Sequence, residues 1–467
     1  MTEAPALPPL HMRRNAFDPT PDLGEIRETD GVRTVISALG NPVYLVTRHE
    51  DVKAMLGDHE RFSNVRPPDF ALPGVPQLSA EDQASARAGN LLGLDPPEHQ
   101  RLRRMLTAEF TIRRMKRLEP HIVEIVDAHL DAMAAAGPPA DLVADFALPI
   151  PSLVICELLG VPYDDREDFQ HRSARQLDLS LSIEERLGLQ RSAREYMLGL
   201  VERARREPGE DILGMLVREH GADLTDDELV GIAGLLLLAG HETTSNMLGL
   251  GVLALLRHPE QLAAVRDDPD AVGPAVEELL RWLSIVQNAI PRFTTTDVEV
   301  AGVRIPAGEL VFASLPAGNR DPGFVESPDV LDISRGAPGH LAFGHGVHHC
   351  LGPAGPHGDA DRLPRPAPPL PESRAGRAVR GRLLPVFPLH LRVEIAGGNV
   401  VNAMKVEADR DACIASGNCV MVSDVVFDQD DDGVVEVLVD ELPDDEIDHA
   451  REAVKLCPAS ALKLTGE

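Results

Sequence analysis

The longest apolar stretch of this chain runs from Leu229 to Leu256 and is interrupted at its centre by His241-Glu242-Thr243-Thr244-Ser245-Asn246. Neither half is long enough to cross a bilayer. Thr225-x-x-Glu228 just ahead of it has the spacing of a capping box, so the pattern predicts one long buried helix with polar groups at its middle. A shorter apolar run, Leu153-Val154-Ile155-Cys156, puts Cys156 in the core. The pattern then breaks down: residues 353–400 hold nine prolines, with Gly355, Pro356 and Gly358 early and Pro364-Arg365-Pro366-Ala367-Pro368-Pro369 after them. A proline inside a helix costs about 3 kcal/mol, so no helix is expected there. From Met404 the character changes again, beginning with a short strand-like segment.

At 467 residues the chain exceeds what one hydrophobic core usually serves, and one large domain plus a small one fits its organisation. A formal net charge of −30 argues against nucleic acid or an anionic membrane as partner. The N-terminal MTEAPALPPLHMRRNAFDP has no apolar core of signal-peptide length, which gives a cytoplasmic expectation. Five cysteines in so long a chain do not make a disulfide framework. Four of them sit where a cofactor would want them.

The first is Cys350, in Phe343-Gly344-His345-Gly346-Val347-His348-His349-Cys350-Leu351-Gly352. The glycines permit close backbone approach to a flat cofactor, and exposed amides can donate to the sulfur. A thiolate on haem iron pushes electron density toward it and favours O–O cleavage. The plainer alternative is a surface turn with a core cysteine. In the central apolar stretch, Ala239-Gly240 precede an acid and two hydroxyls, and buried polar groups are costly unless they serve something. Glycine there leaves room for dioxygen, a threonine hydroxyl can hydrogen-bond the oxygen being activated, and the acid can relay protons. Glu278 and Arg281, three apart on one helix face, can pair. His99 and Arg103, four apart after Asp95-Pro96-Pro97, face one way, as a haem propionate requires.

These motifs resemble those of the cytochrome P-450 family: F-x-x-G-x-[HR]-x-C-x-G at Phe343, Gly346, His348, Cys350 and Gly352, [AG]-G-x-[DE]-T-[TS] at AGHETT, E-x-x-R at Glu278 and Arg281, and D-P-P-x-H-x-x-x-R from Asp95. They occur in the family's order over residues 1–352. Segments such as GNLLGLDPPEH further resemble actinobacterial members that oxidise drugs, steroids and polyketides. The resemblance implies a mainly α fold, a helical prism with small β-sheets. It implies haem b on Cys350, with His99, Arg103, Arg292 and His348 on the propionates, Glu242 and Thr243 as the oxygen-activating pair, and Glu278–Arg281 bracing the proximal pocket. The third partner of that brace is not evident, because Val330 stands where an arginine often does. The implied reaction is insertion of one oxygen atom from O2 into a hydrophobic small molecule.

In the C-terminal residues, Cys413-x-x-Ser416-x-x-Cys419 and Cys457-Pro458 match the bacterial ferredoxin run except that Ser416 replaces its second cysteine. Three thiolates suit a [3Fe-4S] cluster, and structural zinc is the competitor. Residues 404–467 hold 17 acidic and 5 basic residues, a net −12. The segment resembles small α+β ferredoxins encoded beside actinobacterial members of the haem family. An acidic face docking on a basic proximal face is expected, weakening with salt. An NAD(P)H-dependent ferredoxin reductase is the implied electron source.

The chain departs from the family after Gly352, where a long helix beginning L-A-R-x-E is required. Read one nucleotide later with suitable wobble bases, the codons of residues 356–376 can encode that helix and the R-F-P-x-L after it. In the same frame, Val393-Glu394-Ile395 can give a stop, and Ala396-Gly397-Gly398 can hold a ribosome-binding site before Val401 or Met404. A one-base indel near codons 352–355, fusing a monooxygenase gene to its ferredoxin gene, is the resulting expectation. The divisions are then a haem domain over 1–352, an out-of-frame or linker segment over 353–403, and a ferredoxin domain over 404–467. The rival function is electron transfer alone, with the haem domain inactive for want of its proximal helix.

Overall fold

The computed structural model describes residues 8–38, 40–67, 70, 84–85, 87–166, 181, 183–352, 405–430, 432–439, 442–443 and 446–465. The proline-rich segment 353–403, and with it the expectation that no helix forms there, lies outside the described residues.

The apolar stretch forms one uninterrupted helix, Asp226–Arg257. The predicted capping box starts it: Thr225 Oγ1 accepts from the Glu228 N–H at 3.2 Å, and the Glu228 carboxylate accepts from the Thr225 N–H at 2.8 Å. Its polar middle stays helical because the side chains turn back on the preceding turn. Thr243 Oγ1 donates to the Ala239 carbonyl at 2.5 Å, Ser245 Oγ to that of His241 at 2.8 Å, and Asn246 Nδ2 to that of Glu242 at 2.7 Å. Such bonds satisfy the polar groups without opening the helix. The helix packs on Pro149–Leu158 and Ile183–Arg206, burying Leu229, Ile232 and Ala233 with Cys156 and Val201. Each buried Leu or Ile contributes about 1.5–3 kcal/mol, against about 0.5–1.5 kcal/mol net for a typical hydrogen bond. Apolar packing therefore holds the central helix in place.

Beside the helices lies a five-stranded sheet in the order Val32–Ile36, Pro42–Val46, Leu310–Ala313, Arg292–Thr294 and Phe62–Ser63. All its pairings are antiparallel except that of Pro42–Val46 with Leu310–Ala313. The strand Arg292–Thr294 is wholly buried, which carries Arg292 into the interior. The C-terminal domain joins Lys405–Ala408 to Leu462–Thr465 and Phe427–Gln429 to Val435–Val437, with helices Asn418–Val422 and Ile447–Leu456. Its small core centres on Val426, Phe427, Ala450 and Ala453, and all three of its cysteines pack against that core. The architecture is thus mainly α with small sheets, followed by an α+β unit, as the resemblance implies. No helix among the described residues is long and apolar enough to cross a membrane.

Candidate active site

A cavity of ≈ 390 Å³ lies between the central helix and the cysteine loop. Ala239, Gly240, Thr243 and Thr244 line it from the helix, and Phe343, His348, His349 and Cys350 from the loop. The remaining wall is largely aliphatic, with Leu91, Ile150, Ile155 and Leu236 among its residues. Gly240 serves packing as well as space, since a Cβ there would sit 3.2 Å from Ile155 Cδ1.

Short-range bonds close the loop on itself. The Cys350 N–H donates to the Phe343 carbonyl at 3.0 Å and the His349 N–H to that of Gly346 at 2.8 Å. Gly346 has φ +74°, and a Cβ there would lie 2.4 Å from the Leu56 carbonyl oxygen. Only glycine fits both the conformation and the space. Cys350 is exposed where it lines the cavity, while the protein packed around it pushes its thiol pKa up, opposed by the Gly352 N–H and the Arg103 charge.

Four basic side chains gather at this end of the cavity. The His99 and His348 rings lie 4.2 Å apart, and the charges of Arg103 and Arg292 act on both. Burial, then these neighbours, lower His99 to about 4 and His348 to about 2. Burial also brings Arg103 and Arg292 down to about 10, so both remain charged near neutral pH. Asp95 is the nearby acid, but it already accepts from the Asn64 N–H at 2.8 Å and from Ser63 Oγ. Arg292 is held by the Asn64 side chain. His99 Nδ1, Arg103 Nη2, Arg292 Nε and both ring nitrogens of His348 are buried without partners. The guanidinium N–H groups and one N–H of each neutral imidazole among these call for acceptors. The carboxylates of a haem placed over Cys350 supply them, so the residues present fit that group.

Thr243 and Glu242 are separated by the helix geometry. Thr243 lines the cavity; Glu242 does not, and its carboxyl lies beside His241 with Oε1 buried and unpartnered. Burial pushes the Glu242 pKa up. With its own proton on the Ala239 carbonyl, Thr243 Oγ1 turns lone pairs rather than a donor toward the cavity.

The pair Glu278 and Arg281 forms as expected, bidentate at 2.7 and 2.8 Å and with both side chains fully buried. Its third partner is Arg335, whose Nη1 donates to Glu278 Oε1 at 2.6 Å. Val330 contributes only its carbonyl, to Arg281 and to Arg335. The missing arginine lies five residues beyond the position where the sequence was expected to supply it, at the end of the short turn Ile333–Arg335 that Asp332 caps.

In the C-terminal domain, Cys413, Ser416, Cys419 and Cys457 line one small cavity. Cys413 Sγ accepts from the Ala415 N–H at 3.3 Å and Cys457 Sγ from the Ala461 N–H at 3.2 Å. Among the described residues no three His, Cys, Asp or Glu side chains converge closely enough for a single metal ion. The thiols surround a space in common instead, which suits a multi-iron cluster better than the competing zinc.

Comparison with known proteins agrees with this geometry. The Cytochrome P-450 family model matches residues 203–354, and a 4Fe-4S single cluster domain matches residues 406–464. The chain is 53% identical over 344 residues to cytochrome P-450 FAS1 of Rhodococcoides fascians, covering 74% of this chain and 86% of that protein. It is 44% identical over 340 residues to nocardicin C N-oxygenase of Nocardia uniformis, covering 72% and 84%. Among solved structures, the P-450 StaH from glycopeptide antibiotic biosynthesis superposes with a TM-score of 0.65 at 44% identity, over 74% of this chain and 88% of that one. This chain belongs to the cytochrome P-450 family of haem-thiolate monooxygenases, of the actinobacterial type, and carries an iron–sulfur ferredoxin-like domain at its C-terminus.

Proposed function

We propose that this protein hydroxylates a hydrophobic small molecule, with electrons from an NAD(P)H-dependent ferredoxin reductase entering through a [3Fe-4S] cluster on Cys413, Cys419 and Cys457. The observation that carries the reading is the largely aliphatic cavity that has Thr243 on one wall, Cys350 on another and unpartnered cationic donors at its edge. Haem b held by Cys350 supplies the oxygen-activating chemistry. Around it, His99, Arg103, Arg292 and His348 hold the propionates and Phe343 packs beside the thiolate. Gly346 keeps the loop close to the chain at Leu56. Thr243 Oγ1 accepts a hydrogen bond at the reacting end of the cavity, and Glu242, whose raised pKa favours the protonated acid, delivers protons toward it. Glu278, Arg281 and Arg335 hold the loops behind the thiolate in register.

The domain divisions proposed are 1–352, 353–403 and 404–467, with the middle segment read from the wrong frame. The family match supports this by ending at residue 354, where the prolines begin. Resequencing the DNA across codons 350–404 tests it, and an unchanged frame in an independent clone overturns it.

The cluster type rests on Ser416, which lines the cluster cavity where a fourth thiolate would otherwise stand. Ser416→Cys is expected to raise the cluster iron, counted apart from the haem iron, toward four per chain and to abolish the paramagnetic signal of the oxidised three-iron form. The function itself is tested by the reduced carbon monoxide difference spectrum of the purified chain, recorded with its iron and sulfide content. A thiolate band with cluster iron present supports a self-supplied monooxygenase. Cluster iron without the band leaves electron transfer as the activity of the chain.

A further inference from the structure

We propose that His241 parks the carboxyl of Glu242 with its proton on it, the ring giving its own hydrogen to the Leu148 carbonyl while Nδ1 accepts the acid hydrogen of Glu242. This role for His241 rests on the proposed reading of Glu242 as the acid that delivers protons toward the oxygen site.

His241 sits in the polar middle of the helix Asp226–Arg257 and is 1% exposed. Gly240, Thr243 and Thr244 line the cavity, but His241 does not, so its ring serves neither substrate nor haem directly. An imidazole in an apolar core is costly unless its nitrogens are met. Here neither Nδ1 nor Nε2 has a hydrogen-bond partner. Two polar groups lie next to the ring. One is the Leu148 carbonyl, at the junction between the turn Val143–Ala147 and the helix Pro149–Leu158, both of which pack on the central helix. The other is Glu242 Oε1, 3.8 Å from Nδ1 and itself buried without a partner. That separation is just beyond hydrogen-bond distance, and a small rotation of the Glu242 carboxyl closes it.

The chemistry of these three groups fixes where the hydrogens go. Burial lowers the His241 pKa, with only the Leu148 carbonyl opposing it, so near neutral pH the ring is uncharged and carries one N–H and one lone pair. A carbonyl can only accept, so the ring hydrogen goes to Leu148. Nδ1, the nitrogen that faces Glu242, is left with its lone pair. A lone pair repels a carboxylate but accepts from a carboxylic acid, and burial favours the acid as well. The two orphaned groups therefore satisfy each other only while Glu242 is protonated. When the carboxyl turns from the ring toward the cavity it carries that proton with it. Having given the proton up it is a carboxylate, which the lone pair turns away until it has taken another from solvent. His241 is on this account a positioning residue that acts through Glu242.

The test is the infrared absorption of the Glu242 acid carbonyl in the full chain isolated with its cofactors, identified as the carboxylic band that shifts in D2O and that Glu242→Gln removes. In the unmodified chain at neutral pH it is expected at the lowered frequency of an acid that donates to nitrogen. His241→Phe keeps a ring in place without nitrogens. It is expected to raise the band to the frequency of a free acid and to lower product formed per O2 consumed by about tenfold, part of what a positioned acid contributes, with the carbon monoxide band unchanged. His241→Asn sets an amide oxygen near the place of Nδ1 and is expected to return most of both signals. The inference is overturned if His241→Phe leaves the band where it was, or if His241→Asn recovers neither signal. Should His241→Phe fail to fold, a free-acid band or no acid band in the unmodified chain overturns it without any change at position 241. Failure of the proposed role of Glu242 shows separately, as product per O2 that Glu242→Gln leaves unchanged, and failure of haem binding as absence of the thiolate band.

Discussion

At single side chains, the site pairs groups that its chemistry needs with groups that only hold it in shape, and substitution separates the two. Thr243→Ala leaves the thiolate loop untouched but removes the hydroxyl oxygen proposed for the oxygen site, with Thr244 still lining the cavity beside it. We expect product formed per O2 consumed to fall by about 10–100-fold, with peroxide released instead, while the carbon monoxide band is unchanged. Glu278→Gln acts on stability. It strips the acid from between Arg281 and Arg335, leaving buried positive charge uncompensated at a cost of about 3–5 kcal/mol. Arg335→Gln leaves the bidentate Glu278–Arg281 pair intact, and its cost is about 1–3 kcal/mol. Denaturant unfolding of the two variants gives that order. An Arg335 variant as damaging as the Glu278 one would mean that Arg335 carries the brace. The Glu278–Arg281 pair was legible in the sequence because three-residue spacing fixes a common helix face. Arg335 was not, because its approach depends on how an irregular loop folds back, and no periodicity encodes that.

Whole elements follow local rules more closely. The capping box at Thr225 and Glu228, the continuous helix after it and the burial of Cys156 all follow from patterns within a few residues, and the structure has each of them. What the sequence did not reveal is the arrangement in which Asn64 of one loop holds Arg292 of a distant strand, since that contact spans 228 residues. The cap carries its own pH dependence. Burial alone would raise the Glu228 pKa, but the Thr225 N–H and the Arg101 guanidinium outweigh it and hold the carboxyl below its ordinary 4.5. A folded-state pKa below the unfolded one contributes stability that is present above the unfolded value and lost as pH falls through the folded one. Glu228→Gln is therefore expected to lower stability at neutral pH and to lose less of it on acidification, so the curves of variant and parent converge below pH 4.5. Thermal unfolding between neutral and acidic pH measures this. Parallel curves would assign the stabilisation to the Thr225 hydroxyl instead, whose loss in Thr225→Ala costs about 1 kcal/mol.

For the molecule as a whole, the question is whether a haem pocket can stand when the family match ends at residue 354, just past the thiolate loop. The described contacts give the thiolate loop supports of its own. Its turn is closed by bonds from Cys350 to Phe343 and from His349 to Gly346, and one flank lies against the chain at Leu56 through Gly346. Behind it, Arg103 grips the His349 carbonyl from a helix whose Leu102 and Leu106 are fully buried. Gly346 is the point where these supports meet, because it alone among the loop's glycines combines a left-handed backbone with a clearance that admits no Cβ. Gly346→Ala must push the loop away from Leu56 and pay about 1–3 kcal/mol of backbone strain as well. If local closure holds the loop, the parent chain binds haem with a thiolate band and Gly346→Ala loses most of that band, with the iron–sulfur absorbance of the C-terminal domain unchanged. A variant that keeps the full band would place the support elsewhere, in the core beneath Leu351 or in the C-terminal domain. Loss of both signals together would show that the two domains stand or fall as one unit.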